Sequence, residues 1–141
     1  MQFSYFVGVD ISKDTLDAAL YPAKDRQKDF LHFDNTKKGL GEMMAWLKTL
    51  GVKRSDLLIC AEYTGVYTNT LIEFADRKGI ALSLNSPLDI KRSIGLVRGK
   101  NDAVDAARIA EFAYRRRENL RLYEKPCDAI MKMQYLLTER R

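Results

Sequence analysis

The start of the chain contains three short segments with the hydrophobic pattern of β-strands. Residues 3–11 are aromatic and β-branched with almost no polar interruption, which is typical of a strand buried on both faces. Residues 15–21 alternate between apolar and polar positions, and residues 29–33 are again strand-like, with a polar turn at residues 22–26 between them. Because the connections are short, we expect an antiparallel meander with the first strand at the centre of the sheet.

The periodicity then changes from that of strands to that of helices. Apolar residues recur at three- and four-residue spacing before a stop at Gly51, at positions Leu40, Met43, Met44, Leu47 and Leu50. The pattern next predicts a strand at residues 57–61, a helix over residues 67–78 that ends at Gly79, and a strand at residues 80–85. Strands therefore alternate with helices here, as they do in parallel sheets.

The last third of the chain is predicted to be helical. We expect helices over residues 87–96 and 102–117, separated by a break at Gly99. Residues 1–123 are predicted to form one domain, and residues 124–141 to begin a helix that leaves it. The complete order is a three-stranded meander followed by alternating helices and parallel strands, which is the order of an α/β, ribonuclease H-like fold.

Composition and charge narrow the class of protein. The chain has 141 residues, 46% hydrophobic and 30% charged, which suits one globular domain. Its two cysteines, Cys60 and Cys127, form no metal-binding pair and indicate a reduced, cytoplasmic setting. No segment has the length and hydropathy of a membrane helix. The net charge is +5, and its excess lies entirely beyond residue 85, which indicates either a polyanionic partner or a solvated arginine-rich helix face.

Two acidic residues lie on predicted neighbouring strands. Asp10 interrupts the apolar run of the first strand, where a carboxylate costs desolvation energy unless it is paired or bound to a metal ion. Glu62 follows the strand at residues 57–61, at the carboxyl end where open α/β sheets place their ligands. The structural alternatives are a turn-forming aspartate and a solvated strand-end glutamate.

Two further acids, Asp102 and Asp105, lie three residues apart at the start of a predicted helix and therefore share a face. Their spacing in isolation favours a capping role at the helix start. Taken with Asp10 and Glu62, however, they predict a carboxylate cluster. Repelling carboxylates are tolerated where a divalent cation neutralises them, and oxygen ligands suit Mg²⁺ or Mn²⁺.

A magnesium site of this kind would carry out phosphodiester chemistry. Two ions can activate a nucleophile and stabilise the leaving oxygen in an in-line displacement. Four cationic side chains directly precede the second acidic pair and are predicted to hold nucleic-acid phosphates: Lys91, Arg92, Arg98 and Lys100.

Other candidate residues carry less weight. His32 has no acidic or serine signature near it in the sequence, so we interpret it as a structural histidine. The glycines form neither a phosphate-binding loop of the Walker type nor a dinucleotide fingerprint. Tyr63, Tyr67 and Tyr114 could stack on bases, although core packing or hydrogen bonding by the hydroxyl group is the more common role of a single tyrosine.

Three ordered motifs resemble one known family. They are Gly-Val-Asp-Ile-Ser-Lys at residues 8–13, Glu-Tyr-Thr-Gly-Val-Tyr at residues 62–67, and Gly-Lys-Asn-Asp-Ala-Val-Asp-Ala at residues 99–106. In order and spacing they are similar to the amino-terminal domain of the DEDD-motif transposases of the IS110 insertion-sequence group, which are related to Piv invertases and are bridge-RNA-guided recombinases. The resemblance implies a RuvC-like nuclease domain in which Asp10, Glu62, Asp102 and Asp105 bind Mg²⁺ and catalyse DNA cleavage and exchange.

The resemblance also implies parts that this chain lacks. In that family a long coiled coil follows the nuclease domain and leads to a second domain with a serine nucleophile. Residues 127–141 resemble the start of that coiled coil, so we expect a truncated chain that is inactive alone. The implied partners are DNA, a guide RNA and, through the coiled coil, further copies of the protein, in the cytoplasm and at the nucleoid of a bacterial or archaeal cell.

Three alternatives remain open at the level of the sequence. One is a stand-alone nuclease or Holliday-junction resolvase of the same fold. Another is a non-catalytic nucleic-acid-binding module in which the acids are structural. The third is a fragment of an actin-like ATPase, because residues 7–10 resemble the first phosphate loop of that fold; residues 11–14, however, lack the glycine and threonine that such a loop needs.

Overall fold

The computed structural model of the protein describes residues 3–22, 30–86, 90 and 102–123, with residues 102–104 described through their helical backbone alone. Three predicted features lie mostly or wholly outside these ranges: the turn at residues 22–26, the helix at residues 87–96 and the departing helix expected at residues 124–141.

A five-stranded mixed sheet forms the centre of the protein and confirms the predicted arrangement. Its spatial order is β3-β2-β1-β4-β5, with β1 in the middle. The first three strands pair antiparallel, whereas β4 and β5 continue the sheet in parallel with β1. In chain order the strands are β1 (Tyr5–Ile11), β2 (Thr15–Tyr21), β3 (Phe30–Asp34), β4 (Leu57–Glu62) and β5 (Ala81–Asn85).

Helices α1 (Lys37–Thr49) and α2 (Asn69–Lys78) cover one face of the sheet. The Thr36 hydroxyl begins α1 by accepting a hydrogen bond from the Gly39 amide at 2.9 Å. Helix α2 ends at Gly79, whose φ of +66° is the left-handed conformation that glycine adopts most readily. The predicted helix over residues 67–78 starts as a 3-10 turn at Gly65–Thr68, so its α-helical part is two residues shorter.

Helix α3 (Asp102–Arg115) covers the opposite face and packs mainly on β1 and β2. The alternation of side chains along the strands produces two hydrophobic layers. Val7, Val9 and Ile11 point towards α1 and α2, whereas Phe6 points towards Ile109 and Phe112 of α3. Among the helices in the described ranges, none has the length and hydropathy to cross a membrane.

The segment after α3 returns to the edge of the sheet. The Tyr123 amide donates a hydrogen bond to the Leu82 carbonyl oxygen at 2.7 Å, and the Ser83 hydroxyl donates to the Arg121 carbonyl at 3.1 Å. Leu120 and Leu122 pack on the hydrophobic layer beneath α3. These contacts attach residues 120–123 to β5.

Candidate metal and nucleic-acid site

Asp10 and Glu62 lie side by side on the face of the sheet that α3 covers. Their neighbours Val9 and Ala61 are paired between β1 and β4 and point into the opposite hydrophobic layer. Since side chains alternate along a strand, Asp10 and Glu62 point to the other side. Both residues are half-buried at the carboxyl ends of their strands. The structure therefore brings together the two acids that the sequence placed on separate strands.

Helix α3 brings Asp105 to the same place. The helix lies so close to β1 that a Cβ at Gly8 would overlap the Ala106 oxygen and the Ala110 nitrogen. Asp105, one residue before this contact, is half-buried, and its charge acts on the Glu62 carboxyl. Burial raises the pKa of the Glu62 carboxyl, and the negative charge of Asp105 raises it further. The protein thus holds two repelling carboxylates in one partly desolvated place.

The other predicted site residues are described incompletely or not at all. Asp102 is the first residue of α3, one helical turn before Asp105, and only its backbone is described. The four cationic residues predicted to hold phosphates lie outside the described residues: Lys91, Arg92, Arg98 and Lys100.

The acidic side chains of this site are suitable ligands for a hard divalent cation such as Mg²⁺. Within the described ranges no group of three histidine, cysteine, aspartate or glutamate residues closes into a metal site. The acidic side chains on this face nevertheless offer carboxylate oxygens, which are the ligands that Mg²⁺ and Mn²⁺ prefer. A bound cation would offset the repulsion between the Glu62 and Asp105 carboxylates. We therefore regard the residues present as compatible with a magnesium site.

The structure also shows a pair that the sequence interpretation missed. Asp10 is paired with Asp17 across β1 and β2, and Asp17 is paired with His32 across β2 and β3, so the three side chains form a row on one face. The His32 Nδ1–H group donates to Asp17 Oδ1 at 2.7 Å. Asp17 is 4% exposed, whereas the side chain of His32 is 55% exposed. The alternating pattern of the predicted meander, aligned in register, would have revealed this partner for His32.

The tyrosines divide into two groups. Tyr114 packs against Phe6 and Tyr21, with ring centroids 5.7 and 4.8 Å apart, so it belongs to the hydrophobic layer. Tyr63 and Tyr67, in contrast, are 51% and 43% exposed in the turn that follows Glu62. The Asn35 side chain fixes this turn by donating to the Tyr67 carbonyl oxygen at 2.9 Å.

Comparison with solved structures identifies the fold as RuvC-like, within the ribonuclease H-like class. A structure titled Thermus thermophilus RuvC in complex with a Holliday junction substrate is 12% identical in sequence, with a TM-score of 0.56, and covers 84% of this chain and 99% of its own. A second Thermus thermophilus RuvC structure is 13% identical, with a TM-score of 0.51 and the same coverage of both chains.

Comparison with models of protein families identifies the family to which the chain belongs. A family model described as a transposase, of the DEDD type found in IS110 elements, matches residues 7–141. The chain therefore belongs to the IS110-type DEDD transposase family. No curated protein sequence matches it significantly.

Proposed function

We propose that this chain supplies the Mg²⁺-dependent catalytic domain for DNA strand cleavage and exchange in the transposition of an insertion sequence. The observation that carries the proposal is the convergence of Glu62 and Asp105 on the face of β1 that presents Asp10, in a chain of the transposase family. Asp102, one turn before Asp105 on α3, is the fourth proposed acid.

The proposed roles of the acids follow from their elements. Asp10 and Glu62 would hold the metal from the sheet, and Asp102 and Asp105 from the helix. Bound Mg²⁺ would polarise the scissile phosphate and lower the pKa of the attacking hydroxyl group. Because α3 rests directly on Gly8, the backbone of the helix at Asp105 is held relative to the strand acids before substrate binds. Such preorganisation avoids the cost of assembling the site during the reaction.

Nucleic-acid partners would bind around this face. Lys91, Arg92, Arg98 and Lys100 precede Asp102 in the sequence and are proposed to hold DNA phosphates next to the acids. Guidance by an RNA, a second domain carrying a serine nucleophile and oligomerisation through a coiled coil are further parts of the proposal. If they are required, the chain by itself will bind metal and nucleic acid but will not exchange strands.

The structural similarity favours a second candidate, a nuclease that cleaves branched DNA without any further domain. The Thermus thermophilus RuvC structure contains a Holliday junction substrate, and this chain covers 99% of that one. Incubation with a synthetic four-way junction and Mn²⁺ distinguishes the candidates, because only the stand-alone nuclease would release nicked arms.

Calorimetric titration with Mn²⁺ tests the proposed metal site. The unsubstituted chain, Asp10→Asn and Asp105→Asn should be compared after the folding of each has been verified by circular dichroism. Glu73→Gln is the matched control, since Glu73 is an exposed acid on α2, on the opposite face of the sheet. We expect saturable binding in the unsubstituted chain and the control, and loss of binding in the other two. Equal binding in all four folded proteins would contradict the proposal and favour a module with purely structural acids.

A further inference from the structure

A cleft between α1 and α2 lies on the face of the sheet opposite to the carboxylates. It has a volume of about 690 Å³, within the range of small-ligand sites. Its floor is apolar and includes Met44, Phe74 and Ile80. None of these residues takes part in the proposed metal site.

The walls of this cleft carry positive charge at both ends. Both helices start at the carboxyl edge of the sheet and run towards the opposite edge. Lys37 and Lys38 lie in the first turn of α1, whereas Lys78 ends α2 and Arg54 precedes β4 at the far edge. All four are exposed, and the described residues that line the cleft include no acid. Charges spread along a cleft match an extended polyanion better than a single small anion.

A glycine in the middle of α1 supplies an independent observation. Gly41 lines the cleft, and a Cβ there would meet no atom of the described part of the chain within 4 Å. Gly39, two residues earlier, differs because a Cβ there would overlap the Asp34 backbone. Glycine inside a helix is destabilising relative to alanine, and the described packing does not account for Gly41. A missing side chain lets another backbone approach the helix closely.

We propose that this cleft binds a segment of single-stranded DNA, with phosphates on Lys37, Lys38, Arg54 and Lys78 and a base on the apolar floor. Single-stranded DNA combines regularly spaced negative charges with flat bases that can stack on apolar side chains. In a duplex the bases are stacked inside the helix and cannot reach the floor of the cleft. DNA is the polyanion on which members of a transposase family act. The site would hold a displaced strand on the side of the domain away from the carboxylates.

Fluorescence anisotropy with a labelled oligothymidine tests the proposal on the full chain, in EDTA so that metal at the carboxylates contributes nothing. Replacing Lys37 and Lys38 together by alanine should weaken binding by roughly tenfold at low salt and reduce the logarithmic salt slope by about 1.4, since each phosphate contact contributes about 0.7. Lys48→Ala with Lys53→Ala is the matched control, because both lysines are exposed and neither lines the cleft. It should change the affinity by less than about twofold, as expected for a non-specific charge effect.

The Gly41→Leu variant tests whether the ligand occupies the cleft itself, because it fills the cleft without changing the charge of its walls. Leucine favours a helix more than glycine does, so the variant should fold at least as stably while its side chain fills the cleft. We expect weaker binding of oligothymidine by the folded variant. Unweakened binding by Gly41→Leu would overturn the proposal.

Competition experiments identify the occupant. Duplex DNA, oligouridine and poly-glutamate should each displace the labelled single strand less effectively than unlabelled oligothymidine does. If oligouridine or poly-glutamate competes better, the cleft is a site for RNA or for an acidic protein segment and the proposal is wrong. If the folded chain does not bind oligothymidine at all, the proposal is likewise wrong, and a segment of the same chain is the next occupant to test.

Discussion

Gly8 of β1 lies directly beneath Ala106 of α3, with no room for a Cβ between strand and helix. This contact determines how close the helix comes to the sheet. It also determines where Asp105, the residue before Ala106, lies relative to Glu62 on the neighbouring strand. A position with no side chain therefore controls the geometry of the acidic cluster.

We expect Gly8→Ala to displace α3 and to destabilise the protein by about 1–3 kcal/mol, the usual cost of overpacking. The displacement would also separate Asp105 from Glu62 and weaken Mn²⁺ binding. Urea denaturation and calorimetry measure the two effects. Gly41→Ala is the control, because a Cβ there meets nothing in the described structure and should stabilise α1 by about 0.5–1 kcal/mol. If Gly8→Ala leaves the free energy of unfolding unchanged, α3 can move away from β1 without loss of stability, and the prediction is wrong.

Glu62 should make the free energy of unfolding fall as the pH rises in metal-free buffer. Its pKa in the folded protein is raised above the ordinary value of 4.5, first by burial and then by Asp105. Between the ordinary and the raised pKa the folded state holds a proton that the unfolded chain releases, so the unfolded state gains stability there. Below the ordinary pKa both states are protonated and the effect vanishes.

Glu62→Gln removes this proton and therefore its pH dependence. We compare the free energy of unfolding of the variant with that of the unsubstituted chain at about pH 4 and about pH 7, on either side of the ordinary glutamate pKa. The difference should be more favourable to the variant at the higher pH. Urea denaturation in EDTA at both values gives the comparison. Glu73→Gln, at an exposed position of α2, is the control for the general effect of replacing a glutamate by glutamine. If the difference in free energy of unfolding between Glu62→Gln and the unsubstituted chain is the same at both pH values, the environment of Glu62 does not alter its pKa.

The hydrogen bond between His32 and Asp17 should contribute measurably to stability. Removing the imidazole takes a partner from a carboxylate that is only 4% exposed, which typically costs about 1–3 kcal/mol. A double-mutant cycle with His32→Ala and Asp17→Asn should give a coupling energy of about 0.5–3 kcal/mol. Leu31→Ala, at an exposed position of the same strand, serves as control and should cost much less. Additive effects in the cycle would show that the two side chains do not stabilise one another.

Cys60 should resist alkylation in the folded protein. Burial raises the pKa of its thiol to about 12, against a smaller opposing effect of the Asn85 amide, so almost no thiolate forms near neutral pH. In a Cys127→Ser background, we expect iodoacetamide to label Cys60 only as fast as the chain unfolds. Labelling in urea provides the fully reactive control. Rapid labelling without urea would indicate that β4 opens locally.

The hydrophobic pattern was sufficient to predict the architecture. The meander, the alternation that follows it and the glycine that ends α2 were all predicted, because period-two and period-3.6 patterns report directly which faces are buried. The start of α2 was less accurate, whereas α3 begins at Asp102 as predicted. Helix α2 begins two residues later than predicted, since the Thr68 hydroxyl accepts a hydrogen bond from the Thr64 amide and holds a separate turn.

The candidate site was predicted in part. Asp10 was identifiable because a carboxylate within a buried strand costs desolvation energy, and Glu62 because it follows a buried strand at the edge where α/β sheets place their ligands. The structure places both on one face. The functional roles of the four acids and of the four cations before Asp102 remain proposals. The partnership of Asp17 with His32 escaped prediction because the two are separated along the chain and meet only through strand register.

Local patterns along the chain predict the elements, their order, the family motifs and the types of ligand available. The tertiary structure decided which of these residues meet. Register aligned Asp10, Asp17 and His32 in a row. Close packing at Gly8 brought α3 near enough for the charge of Asp105 to act on Glu62, and the spacing of α1 and α2 opened a cationic cleft at Gly41. The physical reason is that periodicity depends on local backbone geometry, whereas distances across a sheet or between helices depend on packing between segments far apart in the chain.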